Sequence, residues 1–183
     1  MEITVPKTQP DAVALLKADH RKVEDLFAKF ESAQGADRKQ KLAEQICMEL
    51  TVHAIIEEEI FYPACKDKVE EDLLDESYVE HDGAKVLIAE IEAGNPDDDF
   101  YDAKVTVLSE MIEHHVKEEE QRIEGLFSQA RAAGLDMDAL ADAMRARKVT
   151  AMEEFQAGKP AETTTFEGDD GPVEAAPAER AAR

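Results

Sequence analysis

The chain has 183 residues and a formal net charge of −22 at pH 7. This charge argues against nucleic acids and anionic membranes as partners, because like charges repel. The sequence contains no run of about 18 apolar residues and opens without a secretory signal pattern, so we expect a cytoplasmic protein with no membrane span.

Helix-forming residues dominate the composition, and Trp is absent. In chain order, apolar periodicity and stop signals predict four long helices and a fifth, shorter one. Their approximate bounds are 10–32, 37–65, 73–93, 97–133 and 136–156. Pro63 predicts a kink or an end late in the second helix, because proline removes a backbone donor. Short turns between long helices favour an all-α, antiparallel up-down-up-down four-helix bundle with an additional shorter C-terminal helix.

The composition changes after Gly158, where Gly, Pro, Thr, Ala and acidic residues take over. Such a segment buries too little apolar surface to offset its ordering entropy. We therefore expect one domain over residues 1–157 and a disordered acidic tail over 158–183.

Histidines and glutamates occupy the inward-facing seams of the four long helices. They form the pattern H, HxxxE, H, HxxxE, with one element on each predicted helix, and the residues are His20, His53, Glu57, His81, His115 and Glu119. In each HxxxE pair the two side chains lie one turn apart on the same face. Counting residues from the turns, at 1.5 Å per residue, brings neighbouring histidines within roughly 6 Å in height.

A single inward histidine is more often a satisfied core residue than a ligand. Six polar residues meeting at one level are different, because burying two acids with four imidazoles without a cation is costly. This ligand set suits Fe, Mn or Zn. Counting ligands favours two ions, each bound by two histidines with both glutamates bridging. A closed zinc site usually includes cysteine, whereas Cys47 and Cys65 fall off the seam and stand roughly 27 Å apart along one helix, too far to bridge.

The pattern resembles the hemerythrin-like, or HHE cation-binding, family over about residues 10–130. The six seam residues match its motif, and the Glu-Glu doublets and Phe61-Tyr62-Pro63 are also similar. The resemblance implies a non-haem di-iron centre that binds O₂ or related small molecules. Ferritin-like proteins use ExxH pairs, so the HxxxE order disfavours them.

The sequence departs from the oxygen-carrying hemerythrins at two places. Lys85 stands where they have a second third-helix histidine, and Glu120 stands where they have an aspartate, with Glu119 one position earlier. With fewer histidines and more carboxylate, the centre is less clearly a reversible carrier, and oxidation by O₂ or peroxide becomes more plausible.

Residues beside the seam are interpreted as ordinary surface or packing groups. We expect His114 at the surface or just outside the ligands. Tyr62, one turn beyond Glu58, could reach the edge of the site, but a packing role is favoured. Four acidic residues are interpreted as solvated charge: Glu58, Glu59, Glu118 and Glu120.

Three functions remain open from the sequence. The first is a di-iron protein that binds or senses O₂, NO or peroxide, or handles iron. The second is a di-iron redox enzyme that consumes peroxide or acts as an oxidase. The third is a protein-interaction module in which the metal only stabilises the fold and the acidic tail recruits a protein partner.

Overall fold

The structure is a computed structural model that describes residues 9–159 and 162–165. A five-residue π-helical segment, Glu57–Phe61, joins the second and third α-helices. The α-helices are α1 (Ala12–Ser32), α2 (Ala36–Ile56), α3 (Tyr62–Cys65), α4 (Glu71–Glu92), α5 (Tyr101–Glu120), α6 (Leu126–Ala132) and α7 (Met137–Gln156). The described residues include no strand, which confirms the all-α prediction.

The four long helices α1, α2, α4 and α5 form the bundle, and α7 packs along α1 and α2. Predicted helix starts are confirmed at two aspartates. The side chain of Asp11 caps α1 by accepting from the backbone N–H of Ala14 at 2.9 Å. Asp136 caps α7 in the same way, accepting from Ala139 at 3.0 Å. Each cap satisfies a donor that helix geometry leaves without a partner.

The break in the second long helix precedes Pro63. The backbone N–H of Tyr62 donates to the carbonyl of Glu57, five residues back, which widens the turn. Pro63 then falls in the first turn of α3, where its missing N–H costs little. The wide turn changes which side chains share a face, so residues after it no longer follow the α-helical phase of α2.

The prediction of one fourth helix reaching about residue 133 is wrong. The helix α5 ends at Glu120, and Gln121 adopts an extended ψ of 135°. The hydroxyl of Ser128 donates to the carbonyls of Gln121 and Arg122, both at 3.0 Å. A downstream side chain thus satisfies carbonyls that follow the helix end.

The hydrophobic core consists of two clusters with the histidine level between them. One cluster includes Leu16, Ile56, Phe61, Leu74, Leu126, Phe127 and Met144. The other includes Val23, Phe27, Ile46, Leu50, Ala84, Ile88 and Leu108. Cys47 and Cys65 are buried free thiols, one in each cluster. The polar seam residues therefore form a layer across an otherwise apolar bundle.

Residues 162–165 pack on the bundle, in contrast to the disorder that the composition predicts. The backbone N–H of Thr164 donates to both carboxylate oxygens of Asp82, at 2.8 and 2.9 Å. Lys85 donates to the carbonyl of Glu162 at 2.8 Å. The rest of the predicted tail, 160–161 and 166–183, lies outside the described residues.

Across the described ranges, none of the helices is long and apolar enough to cross a membrane.

The turn between α5 and α6 requires a residue without a side chain at position 125. A Cβ at this position would lie 2.5 Å from the backbone N and 2.6 Å from the O of Gln121, and 2.7 Å from the O of Glu119. Backbone atoms cannot swing aside, so we expect Gly125→Ala to lower the free energy of unfolding by about 1–3 kcal/mol. Urea denaturation measures this change.

Gly83→Ala is the matched control. Its Cβ would meet only the flexible end of Met111, at 3.0 Å, and alanine is favoured over glycine within a helix by about 1 kcal/mol. It should be neutral or stabilising. Equal losses in the two variants would contradict the close approach at Gly125.

Candidate metal centre

The seam residues predicted from the sequence converge in the polar layer, and all of them are buried. They are His20, His53, Glu57, His81, His115 and Glu119. The four histidines form two pairs that meet through Nε2 atoms. The Nε2 atoms of His20 and His53 are 3.1 Å apart, and those of His81 and His115 are 3.2 Å apart.

The two glutamates lie between the histidine pairs. One oxygen of Glu57, Oε2, is 3.1 Å from Nε2 of His53 and 3.4 Å from Nε2 of His81. Oε2 of Glu119 is 3.4 Å from Nε2 of His20 and 3.5 Å from Nε2 of His115. Each carboxylate therefore approaches one histidine of each pair.

Within the described residues, the buried ligand-type atoms form two groups of cation-binding size. Within each group the atoms lie within 4.8 Å of one another. The groups are His20, His53, Glu57 and Glu119, and Glu57, His81 and His115. Glu57 belongs to both, as a bridging carboxylate would.

A carboxylate stands behind each histidine, at the Nδ1 atom that faces away from the centre. The pairs are His20 with Glu120 (2.8 Å), His81 with Glu58 (3.0 Å), His115 with Glu80 (2.7 Å) and His53 with Asp19 (3.7 Å). An ionised carboxylate only accepts hydrogen bonds, so in a neutral imidazole it favours the proton on Nδ1 and leaves the Nε2 lone pair facing inward. Such carboxylate–histidine pairs typically orient metal ligands.

The interpretation of Glu58 and Glu120 as solvated charge is wrong. The side chain of Glu58 is 13% exposed and that of Glu120 is 20% exposed. Neither Asp19 nor Glu80 was singled out from the sequence. All four flank a seam residue directly in the chain and reach across to a histidine on a neighbouring helix. A carboxylate directly beside a predicted ligand in the chain is thus the sequence signal that could have identified these four supporting residues.

The buried carboxylates have oxygens without donors. Oε1 of Glu57 and Oε2 of Glu119 have no hydrogen-bond partner among the described residues, although the two side chains are 0% and 1% exposed. Buried polar atoms are nearly always satisfied. Two orphaned anionic oxygens beside four inward-facing Nε2 atoms are a donor set that fits cations.

In the metal-free protein, protons can supply part of this positive charge. Burial opposes the charged form of His53, but the Glu57 charge and the Asp19 contact outweigh it and raise its pKa to about 10. Burial likewise opposes protonation of His81, yet Glu57 and Glu58 raise its pKa to about 9. Burial would raise the pKa of Glu57, but His53 and His81 hold it well below its usual value. Metal binding must therefore displace protons.

Tyr62 reaches the centre, which corrects its predicted packing role. Its hydroxyl lies 3.3 Å from Oε2 of Glu57, 3.1 Å from Oε1 of Glu119 and 3.2 Å from Nε2 of His81. Burial and the charges of Glu119 and Glu57 raise its pKa well above 10, so it stays a neutral hydrogen-bond donor. Regular α-helical spacing puts Tyr62 over Glu58. The π turn puts it over Glu57 instead, which periodicity alone could not predict.

His114 lies at the surface, as the sequence predicts, with its side chain 62% exposed. Its Nε2 is 3.6 Å from Glu80 and 3.4 Å from Glu118. It therefore stays outside the buried centre.

An apolar cavity of about 20 Å³ adjoins the histidines, enough for a molecule the size of water. Its walls include Val23, Leu50, Ala84, Ile88 and Ile112. Lys85 also lines it, but its Nζ is engaged elsewhere, at 2.8 Å from Glu58 and 3.1 Å from Asp82. Lys85 therefore does not act as a ligand in place of a second histidine.

Comparison with known proteins identifies relatives for most of this region. A family model described as the hemerythrin HHE cation binding domain matches residues 11–127. A crystal structure of a hemerythrin HHE cation-binding domain-containing protein from Mycobacterium kansasii is similar in fold, with a TM-score of 0.67 and 18% identity. That similarity covers 84% of this chain and 96% of the other.

A sequence relative is described as a DNA nickase from Nostoc sp. and is 30% identical over 109 residues. The alignment covers 60% of this chain but only 31% of that relative's length.

Tyr62→Phe tests the hydroxyl at the centre. In the metal-free protein, kept so with a chelator, this change removes a donor from buried carboxylates. We expect the free energy of unfolding to fall by about 1–3 kcal/mol, because hydrogen bonds to charged groups are the stronger ones. Tyr78→Phe is the control, since the hydroxyl of Tyr78 has no hydrogen-bond partner in the described part of the chain and its ring packs on Tyr62 at 5.2 Å. Equal effects would mean that the Tyr62 hydroxyl makes no net interaction.

Proposed function

This chain belongs to the hemerythrin HHE cation-binding domain family, and from that membership we propose that it holds two iron ions in its polar layer. Six ligands are assigned to them: His20, His53, Glu57, His81, His115 and Glu119. The observation that carries this proposal is that Glu57 is shared between two histidine pairs. One ion would bind the pair His20 and His53, and the other the pair His81 and His115, with both glutamates between them.

Iron is the metal proposed because imidazole and carboxylate ligands suit it, although they also accept Mn and Zn. A closed structural zinc site usually contains cysteine, and Cys47 and Cys65 belong to the apolar clusters instead. Two histidines and two shared carboxylates would leave each ion short of a full set of protein ligands, as a centre that exchanges small ligands requires.

We propose that the centre binds or senses small oxidants such as O₂, NO or peroxide. Iron bound there would supply redox chemistry toward such molecules. The chain's own residues supply the surroundings. The apolar cavity adjoining the histidines limits a ligand to a small size and keeps bulk water away. The outer carboxylates hold the imidazoles in one orientation, and the hydroxyl of Tyr62 offers a hydrogen bond toward the glutamates.

A redox enzyme is the second candidate, and one observation favours it. Tyr62 places a neutral O–H donor 3.1 Å from Glu119, where it would donate a hydrogen bond to a ligand that is being reduced. The interaction-module alternative rests on the acidic tail, and the part of the tail that is described contacts this chain itself. The nickase description belongs to the Nostoc relative, and the charge of −22 still argues against nucleic acid as a partner.

The metal stoichiometry tests the proposal directly. We expect about two iron atoms per chain after expression in iron-rich medium, measured by elemental analysis. One metal per chain, or zinc alone under those conditions, would contradict the two-iron centre. Stopped-flow spectroscopy after anaerobic reduction then separates the functions. A stable, reversible O₂ adduct favours a carrier or sensor, whereas continued consumption of O₂ or peroxide favours an enzyme.

Three glutamate variants separate ligand, supporting and surface roles. Glu57→Ala removes a carboxylate from both ions, so both should be lost. Glu58→Gln keeps every ligand but weakens the support of His81, so iron affinity should fall by about 10–100-fold with the stoichiometry restored at high iron. Glu113→Gln is the control, because that side chain is 65% exposed. Iron content is measured after dialysis against graded chelator, and retention of both ions by Glu57→Ala would refute its bridging role.

A further inference from the structure

Residues 162–165, called the strap below, satisfy a buried carboxylate beside the centre. Asp82 is 0% exposed. It accepts from the backbone N–H groups of Thr164 and Thr165 and from the Thr165 hydroxyl at 2.7 Å. A buried carboxylate is costly without donors, so the strap and Asp82 stabilise each other.

The strap also connects to a histidine of the centre. The hydroxyl of Thr164 donates to Oε2 of Glu58 at 3.1 Å, and Oε1 of Glu58 lies 3.0 Å from Nδ1 of His81. Lys85 lies within the same network, with Nζ 2.8 Å from Glu58 and 2.8 Å from the carbonyl of Glu162. The strap carbonyl is thus one of the acceptors that hold this flexible side chain in place.

Two cavities meet at Lys85. The small apolar cavity beside the histidines is lined by Thr51 and Lys85. A larger cleft of about 310 Å³ lies under the strap, lined by Thr163 and Thr164 and again by Thr51 and Lys85. The side chains of Thr51 and Lys85 therefore form the wall between the histidine centre and the cleft that the strap covers.

We propose that the strap and Lys85 form a closable cover over the route by which small molecules reach the centre. When the strap detaches, Lys85 loses an acceptor and Asp82 gains water as a hydrogen-bond partner. Lys85 can then turn out of the wall, and the two cavities join. The role of this route in ligand entry rests on the proposed function, whereas attachment of the strap and access to the inner cavity do not.

Thr165→Val tests the cover, because it removes a hydroxyl that bonds Asp82 without touching Glu58 or a proposed ligand. Thr106→Val is the matched control, since within residues 9–159 and 162–165 the hydroxyl of Thr106 bonds only the carbonyl of Asp102 in its own helix, at 3.0 Å. Loss of a hydrogen bond to a carboxylate should raise the open fraction about ten- to a hundredfold. In the metal-free protein, amide hydrogen exchange at residues 164 and 165 should accelerate by that factor in Thr165→Val and stay unchanged in Thr106→Val.

A thiol in the inner cavity measures access without any metal. Ala84 lines that cavity, and Ala84→Cys provides a target for methyl methanethiosulfonate. The modification rate at this cysteine should rise about ten- to a hundredfold when Thr165→Val is added. An unchanged rate despite faster amide exchange would overturn the cover, as would exchange at the free-peptide rate in the unmodified strap.

Azide then tests the same route in the iron-loaded protein. Its association and dissociation rates should rise together in Thr165→Val with the equilibrium constant unchanged, because a cover alters both directions equally. A changed equilibrium constant with an unchanged association rate would overturn the proposal in favour of an effect on the centre itself. If no variant holds iron while thiol access still depends on Thr165, the proposed function fails and the cover stands.

Discussion

A carboxylate with no access to water lies in the middle of this bundle, and the rest of the structure accommodates it. Glu57 is 0% exposed, between two apolar clusters, and one of its oxygens has no donor among the described residues. Uncompensated burial of such a charge would cost several kcal/mol. Four inward-facing imidazoles, a tyrosine hydroxyl and the proposed cations each contribute to the compensation, and each requires its own helix to hold a fixed rotation and height.

The supporting carboxylates connect the helices in a closed ring. Asp19 on α1 faces His53 on α2, and Glu58, just after α2, bonds His81 on α4. Glu80 on α4 bonds His115 on α5, and Glu120 at the end of α5 bonds His20 on α1. Three of these contacts are hydrogen bonds, whereas Nδ1 of His53 lies 3.7 Å from Asp19 and has no hydrogen-bond partner among the described residues. Each helix still places a carboxylate against the histidine of the next one, and the circuit closes on the first helix. Because these contacts are buried or half-buried, they specify the relative rotation of the helices more strongly than exposed ion pairs could.

The fold and the inner residues of the centre follow from periodicity, because a bundle seam repeats with the period of an α-helix. His20 and His115 could be assigned to the interior from their apolar neighbours three or four residues away. Tyr62 could not be assigned to the centre, because its position depends on a π turn that the residue types do not predict. Glu58 and Glu120 could not be assigned either, because solvated surface charges also occur one position off the seam. Only the distance to the next helix distinguishes a carboxylate that supports a histidine from a solvated one. The break after Glu120 depends on a contact from Ser128, which lies outside the local window that predicts a helix end.

The division of the core into two clusters bears on how the bundle unfolds. A single continuous apolar core favours all-or-none unfolding, whereas proteins with separate packing regions open in parts. Here a polar layer separates the two apolar clusters. The attraction between the side chains of that layer depends on the charges that it contains. Ligands from both histidine pairs join at shared carboxylates, so cations in the layer would tie the two halves into one cooperative unit. Without them the halves would be coupled mainly through helix continuity and α7, and metal content would then determine the sharpness of the unfolding transition as well as its midpoint.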